Sequence, residues 1–124
     1  MPPAHQKWQD GGWHPDQAVH DDQAVVLHIR DKGLVVLTGC GHSGIVNIVR
    51  HAKRITGIDQ VYAVLGGFHL RDGEIIPLTV TALATENPAV VVPAHCTSWK
   101  AQQALAAGLP GVFRPNAVGS CFQL

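Results

Sequence analysis

The chain repeats one local pattern three times: a short apolar run, suited to a buried strand, is followed by a turn of small residues that carries a histidine. In a layered α/β fold the carboxyl ends of neighbouring parallel strands lie side by side, so we expect these turns to meet at one edge of a sheet, where ligands bind. Imidazole and thiol groups gathered at such an edge indicate a metal site. The three segments are 34–42 (LVVLTGCGH), 61–69 (VYAVLGGFH) and 90–96 (VVVPAHC).

Length and composition fit a single globular domain. A chain of 124 residues, 46% hydrophobic and 15% charged, can bury one core but has little room for a second. Nine basic residues balance nine acidic ones, which argues against nucleic acid or an anionic membrane surface as a partner. No apolar run approaches the roughly 20 residues that span a bilayer, and residues 1–7 lack the apolar core of a signal peptide, so we expect a cytoplasmic protein.

The pattern along the chain predicts two regions. Residues 1–22 show no period of either 2 or 3.6 residues and are predicted to be an irregular connecting segment. Trp8 and Trp13 in this region either cover an apolar face or line a substrate entrance, and packing is the more common role for large aromatic side chains. Residues 23–124 predict a β-hairpin followed by βα units. The predicted strands are 23–29, 34–37, 61–65 and 90–92, with short closing strands at 112–113 and 118–122 that bury Cys121, and the predicted helices are 43–57 (capped by Ser43), 77–85 and 98–107.

Two of the three turn histidines are candidate metal ligands. His42 lies at a strand-to-helix turn beside glycine, which lets the backbone approach a ligand closely. A lone histidine in a turn is usually only solvated or capping, so the clustering carries the metal interpretation. His95 follows an almost wholly apolar segment and is expected at a buried strand end, where its ring needs a partner or a metal. Cys96 is expected to pack in the core, because adjacent strand residues point to opposite faces.

The remaining candidates leave the chemistry open. His69 suits metal binding, substrate orientation or proton donation near neutral pH. Cys40 can become a thiolate under a nearby cation, which permits either metal ligation or nucleophilic catalysis, so a Cys–His nucleophilic pair is the alternative. In a reducing compartment Cys40 and Cys96 are expected as ligands or packing thiols rather than as a disulfide. The other histidines are expected to be ordinary surface residues: His5, His14, His20, His28 and His51.

Four motifs, in the expected order, resemble the carboxyl-terminal half of the metallo-β-lactamase superfamily. They are DQA at 22–24, VLTGCGHSGIVN at 36–47, GGFHL at 66–70 and PAHCT at 93–97. Within the superfamily they resemble the branch that includes 7,8-dihydropterin-6-methyl-4-(β-D-ribofuranosyl)aminobenzene 5′-phosphate synthase. The resemblance implies an αββα sandwich with one or two divalent metal ions at the sheet edge, zinc being expected and manganese or iron the alternatives. It also implies that His42 and His95 are metal ligands, that Cys40 stands at or next to the bridging acidic position, and that His69 faces a small-molecule substrate, which can be phosphorylated.

Two departures from the family pattern shape the functional hypotheses. The superfamily takes much of its metal shell from a His-x-His-x-Asp-His motif, and no such spacing occurs in these 124 residues. Ser98 also stands where the branch usually has glycine. One hypothesis is a half-enzyme with hydrolase or dihydropterin-type transferase activity, completed by a partner chain or a second copy.

The other hypothesis is an incomplete domain that keeps the fold but has no turnover by itself, and we favour it for this chain alone. A sandwich lacking one sheet exposes the apolar face of the other, so we expect dimerisation, a partner or poor solubility.

Overall fold

The computed structural model describes residues 6–17 and 19–124, in which a hairpin strand and three strand–helix units build one sheet. The order in the four-stranded sheet is β3-β4-β5-β6, with β3 antiparallel to β4 and the other pairs parallel. This confirms the predicted α/β architecture. The elements are β1 (Gln6–Gln9), β2 (Gly12–Pro15), β3 (Ala24–Ile29), β4 (Gly33–Thr38), α1 (Ile45–Thr56), β5 (Val61–Gly66), α2 (Ile75–Glu86), β6 (Val90–Pro93) and α3 (Trp99–Gly108).

The predicted hairpin turn at residues 30–33 sets the register of β3 against β4. Asp31 and Gly33 both have positive φ, 62° and 114°, as a tight turn requires. Glycine is needed at position 33 because a Cβ there would lie 2.5 Å from the Gln60 carbonyl oxygen. The register pairs Ile29 with Gly33 and Ala24 with Thr38.

The bounds of the three helices lie within two residues of the predicted ones, and the structure corrects the starts of α1 and α2. α1 ends at Thr56, and Gly57 terminates it as predicted, as a C-cap in the left-handed conformation. Its N-cap is Gly44 and no side chain caps it, so the prediction that Ser43 caps this helix is wrong. α2 begins at Ile75, two residues before Pro77, and proline is tolerated there because the first-turn N–H groups have no partner within a helix.

Ser98 is the N-cap of α3, which begins at Trp99, one residue after the predicted start, and the geometry at Ser98 bears on the departure from the family pattern. Its hydroxyl accepts a hydrogen bond from the Ala101 N–H, which satisfies one of the free donors at the helix start. The backbone at Ser98 has φ −61°, a conformation that any residue adopts, so this structure does not need glycine at that position.

The hydrophobic core joins one face of the sheet to the three helices. Four of its strand residues are fully buried: Leu34, Val36, Val64 and Val91. The last three are neighbours in the register of β4, β5 and β6. The helices contribute Ile45, Val49, Ala52, Ile76, Leu83, Ala101 and Leu105. Alternate residues of β3 and β4 face the other way.

That second sheet face is apolar, and it is exposed along β3 and at the end of β4, whereas Val35 in the middle of β4 is buried. Val25 and Leu27 are each 52% exposed and Leu37 is 46% exposed. Val25 and Leu37 are direct cross-strand neighbours, so they form one continuous patch.

Among the described residues, no helix is both long and apolar enough to cross a membrane.

The two ends of the chain correct the sequence predictions. Residues 1–22, predicted to be irregular, contain the β1–β2 hairpin, whose turn uses the positive φ of Asp10 and Gly11. Trp8 and Trp13 face each other across it, edge to face with ring centroids 5.4 Å apart, and both stay more than half exposed. The predicted closing strands reduce to a single bridge between Val91 and Phe113.

Residues 118–122 form no strand, because their apolar side chains find no neighbouring strand with which to pair. The prediction that Cys121 is buried is therefore wrong, since this cysteine is exposed.

Candidate metal centre

The turns after β4, β5 and β6 meet at one edge of the sheet. Gly67 lies at their centre, where a Cβ would stand 2.4 Å from the Gly39 carbonyl oxygen and 2.8 Å from the His95 carbonyl oxygen. The Gly67 N–H donates to the Gly39 carbonyl at 3.1 Å, and the buried Thr38 hydroxyl donates to the Gly67 carbonyl at 2.7 Å. Glycine at position 67 therefore allows three backbone turns to touch, which brings their side chains together.

Two cysteines from distant parts of the chain are in contact at this edge. The Sγ atoms of Cys40 and Cys96 are 3.0 Å apart, and the Cys96 thiol also donates to the Cys40 carbonyl oxygen at 3.0 Å. The backbone N–H of His69 donates to Cys96 Sγ at 3.2 Å. Cys40 Sγ lies 3.5 Å from His69 Nδ1. The site thus gathers two thiols and an imidazole.

Two histidine rings complete the cluster. The rings of His42 and His69 meet edge to face, with centroids 4.5 Å apart and planes at 81°. Ligand atoms of Cys40, His42 and His69 all lie within 4.8 Å of one another, and so do those of Cys40, His95 and Cys96. Cys40 is common to both groups and is the centre of the arrangement.

Asp22 holds the turn that carries Cys40 and His42. Its carboxylate accepts the backbone N–H of Gly41 at 3.1 Å and that of Ser43 at 2.9 Å. The side chain is only 5% exposed and stands 3.9 Å from His42 Nδ1. Burial opposes ionisation of Asp22, but the backbone and hydroxyl hydrogen bonds from the turn outweigh it and lower the pKa of this carboxyl. Asp22 is therefore a charged clamp on the turn.

Cys40 is a poor thiolate in the absence of a cation. Burial is the main cause, and the adjacent Cys96 and the charge of Asp22 add to it, so that the pKa of Cys40 rises to about 11. Arg71 acts in the opposite direction but does not cancel the rise. A thiol with this pKa is a weak nucleophile at neutral pH, whereas a coordinated metal deprotonates a cysteine outright.

The donor atoms fit a divalent metal ion by their spacing and chemistry. Ligands that bind zinc tetrahedrally at 2.0–2.3 Å are separated from one another by about 3.3–3.8 Å. The 3.5 Å between Cys40 Sγ and His69 Nδ1 lies inside this range. The two Sγ atoms, at 3.0 Å, are closer than the roughly 3.8 Å that separates two zinc-bound thiolates, so Cys40 and Cys96 do not have the spacing of a ligand pair. Thiolate and imidazole are the ligands that zinc prefers over harder cations.

The structure gathers most of the predicted site residues but changes the environment of two. Cys40, His42 and His69 are brought together as expected. His95 reaches the same edge, but it is exposed, so the expectation of a buried strand end is wrong. β6 ends at Pro93, and His95 already lies in the following turn.

Cys96, expected to pack in the core, faces Cys40 instead. It lies beyond the end of β6 and has a positive φ of 55°, so strand alternation does not apply to it. Four other histidines are exposed, as predicted: His14, His20, His28 and His51. His5 lies outside the described residues.

Asp22 was part of the DQA motif at 22–24, but the sequence patterns did not identify it as a functional residue by itself. The register that pairs Ala24 with Thr38, continued by two residues, sets Asp22 opposite Cys40. The predicted hairpin turn fixes this register, so the position of Asp22 beside the turn could have been read from the sequence. No comparable signal marks Cys96, because cysteine has no preference for the left-handed conformation.

The comparisons with known proteins agree with this architecture. No family model matches the chain. A stretch of 84 residues is 40% identical to the 7,8-dihydropterin-6-methyl-4-(β-D-ribofuranosyl)-aminobenzene-5′-phosphate synthase of Methanocaldococcus jannaschii, covering 66% of this chain and 29% of that protein. An uncharacterized protein of the same organism is 34% identical over 84 residues, covering 67% and 30%. The chain thus spans less than a third of the length of these curated relatives.

The structural comparison covers almost the whole chain. The crystal structure of Tm1679, a metal-dependent hydrolase of the β-lactamase superfamily, superposes with a TM-score of 0.85 and 29% identity over 96% of this chain and 46% of that one. The chain therefore matches part of a larger superfamily domain. Sequence and fold together show that it belongs to the metallo-β-lactamase superfamily, in the branch that includes the dihydropterin ribofuranosylaminobenzene phosphate synthase.

Proposed function

We propose that this chain provides the carboxyl-terminal half of a metal-dependent hydrolase or dihydropterin-type transferase site. The observation that carries the proposal is the convergence of Cys40, His42 and His69 within 4.8 Å at the edge of the sheet. The synthase activity named for the M. jannaschii relative and the metal-dependent hydrolase class of Tm1679 support the two reaction classes. His95 is proposed as a further ligand because it shares Cys40 with this group.

Each side chain has a proposed part in the reaction. Zinc, or manganese or iron in its place, would be held by Cys40, His42 and His95 and would polarise a water molecule or an anionic substrate oxygen. Asp22 keeps the ligand turn in place through the hydrogen bonds of its carboxylate to Gly41 and Ser43. His69 faces the substrate and moves a proton, since its ring touches both His42 and Cys40.

An open pocket beside the two histidines suits a small substrate. It has a volume of about 310 Å³, and its lining includes His42 and His69, apolar side chains from both flanking helices, and Arg50. The Arg50 guanidinium matches the charge of a phosphate group, which the name of the M. jannaschii relative suggests. A larger groove of about 710 Å³ lies between β3 and α1, but its lining holds none of the proposed ligands, so we place the substrate in the smaller pocket.

The His-x-His-x-Asp-His ligands are proposed to come from outside these 124 residues. A partner chain that carries this motif, or a second copy, would complete the metal shell. We infer that the chain alone binds metal without turning over substrate, because at least half of the ligand set is not in this sequence. A reducing, cytoplasmic setting is part of the proposal, because Cys40 acts in it as a thiol ligand.

A cysteine nucleophile is the second candidate. The 3.5 Å between Cys40 Sγ and His69 Nδ1 favours it, because a base within reach of a thiol is the geometry of such pairs. The pKa of about 11 for Cys40 argues against it at neutral pH. A chelator applied to the completed, active enzyme separates the two: it abolishes metal-dependent activity and leaves a cysteine nucleophile active.

Metal content is the direct test. The purified chain, loaded with zinc and desalted, should hold close to one metal ion per chain by elemental mass spectrometry, with iron(II) and manganese(II) measured in parallel. A His42→Ala, His95→Ala double variant should lose it. A matched His28→Ala, His51→Ala variant removes two exposed histidines that belong to neither group of candidate ligands and should retain the metal. Zinc that stays in the first variant, or binds to neither protein, would overturn the proposal.

A further inference from the structure

The contact between the two cysteines supports chemistry that metal binding does not require. Their sulfur atoms stand 3.0 Å apart, about 1 Å longer than a disulfide bond. Both residues are half-buried, so a small oxidant in water can reach them. Cys121, by contrast, is exposed and lies in the carboxyl-terminal tail, away from this pair in sequence.

The backbone around the pair limits how far the sulfurs can separate. The Gly67 N–H binds the Gly39 carbonyl at 3.1 Å, and the Ala94 N–H binds the Gly66 carbonyl at 2.8 Å. These bonds tie the turn that holds Cys40 and the turn that holds Cys96 to the same intervening loop. Holding two reacting groups in contact raises their effective concentration greatly over that of free thiols.

We propose that Cys40 and Cys96 are a redox modification site, which forms an intramolecular disulfide on mild peroxide oxidation and thereby withdraws Cys40 from metal binding. The loss of metal binding rests on the proposed function; formation of the bond does not. The sequence predicted these residues as ligands or packing thiols in a reducing compartment, and the geometry adds an oxidised state to that resting form.

The oxidation balances with peroxide as the oxidant. The Cys96 sulfur, as its thiolate, attacks a peroxide oxygen; the O–O bond breaks, a sulfenic acid forms on Cys96, and the leaving hydroxide takes up the thiol proton as water. The second sulfur then attacks the sulfenic sulfur, the S–O bond breaks, the S–S bond forms, and a second water leaves with the remaining thiol proton. Two electrons pass from the sulfur pair to peroxide, which is reduced to two water molecules.

Tryptic mapping provides a clear test because each cysteine falls on its own peptide: 33–50, 72–100 and 101–124. Reduced, chelator-treated wild-type protein is exposed to a small excess of hydrogen peroxide, quenched with N-ethylmaleimide and digested. We expect peptide 33–50 joined to peptide 72–100, lighter by two hydrogen atoms than their sum, with Cys121 still alkylated. Dithiothreitol should reverse the link.

Two variants and a metal control sharpen the result. Cys121→Ser should form the same link at an unchanged rate, whereas Cys96→Ser should form none. Zinc at ten times its dissociation constant should slow the reaction of wild-type protein roughly tenfold, because only the metal-free site has both thiols available.

The outcomes separate the two proposals. Cys40 and Cys96 that both remain alkylated, or that oxidise only to sulfinic acid or to links between chains, would overturn the disulfide even if zinc content is stoichiometric. A disulfide that forms equally fast with zinc-saturated protein would refute the claim that disulfide formation withdraws Cys40 from metal binding. A disulfide in protein that binds no zinc would leave the thiol pair standing and refute the metal proposal alone.

Discussion

Replacing Asp22 by asparagine tests whether this carboxylate holds the ligand turn. Asp22→Asn keeps the size of the side chain but removes its charge. One amide oxygen can still accept one of the two backbone N–H groups, while the amide nitrogen, itself a donor, now faces the other. A hydrogen bond to a charged group contributes about 1.5–3 kcal/mol, and the side chain is 5% exposed, so we expect the free energy of unfolding to fall by about that amount.

The lowered pKa of Asp22 determines how the stability difference between wild type and Asp22→Asn changes with pH. The pKa of Asp22 is lowered from an ordinary value of 3.8 in the folded protein, so the charged carboxylate stabilises the fold fully above pH 3.8. That stabilisation is lost as the pH falls through the lower pKa of the folded state. The asparagine variant lacks it at every pH. The difference between wild type and variant should therefore be largest near neutral pH and shrink below pH 3.8.

Urea unfolding followed by circular dichroism from pH 7 to pH 3 measures both quantities. Asp21→Asn is the matched control, because Asp21 is the adjacent acidic residue and is exposed. It should change the free energy of unfolding by no more than about 0.5 kcal/mol. A deficit in Asp22→Asn no larger than in Asp21→Asn, or one that stays constant down to pH 3, would refute the assignment of Asp22 as a charged clamp.

Two further predictions concern packing. Gly67→Ala should lower the free energy of unfolding by about 1–3 kcal/mol and weaken zinc binding in calorimetry, because its Cβ would meet backbone oxygens at 2.4 Å and 2.8 Å. Gly39→Ala, whose Cβ would have an ordinary 3.7 Å contact, should do neither, and equal effects would contradict the close-approach argument. Wild-type chain should self-associate in sedimentation velocity, and Val25→Thr with Leu27→Thr should shift it toward monomer because both side chains are 52% exposed. A His28→Thr variant on the same strand should associate as wild type does, and a monomeric wild type would rule out the role of this face.

The sequence was most informative where a local pattern repeats. Each apolar run that ends in a histidine turn became a strand of the sheet, and the meeting of Cys40, His42 and His69 follows from parallel order alone. The tight turn at residues 30–33 likewise contained enough information to set Asp22 beside Cys40.

Features that depend on contacts between distant segments were not accessible in this way. Cys96 faces Cys40 because its backbone adopts φ 55°, which the packing of neighbouring turns imposes. The apolar residues at 118–122 have strand-like composition, yet strand formation requires a neighbouring strand, and none of the described strands lies beside them. The Asp10-Gly11 turn, by contrast, has a sequence typical of hairpins. The β1–β2 hairpin was missed because each of its strands has only four residues, too few to show a clear alternation of apolar and polar side chains.

The open sheet face and the partial ligand set are linked by the same strand. β4 carries Leu37 on the open face, 46% exposed, and ends at Thr38, directly before the turn with Cys40 and His42. An element that covered Val25 and Leu37 would therefore lie next to the edge where the ligands gather. The structural relative, which is matched over only 46% of its length, has further chain with which to do this. Under the proposed function, burying the apolar face and completing the metal shell are thus tasks that a single half-domain, from the same or another chain, would perform together. A half-domain that brings both a sheet and histidines fits this coupling better than a loop that contributes ligands alone.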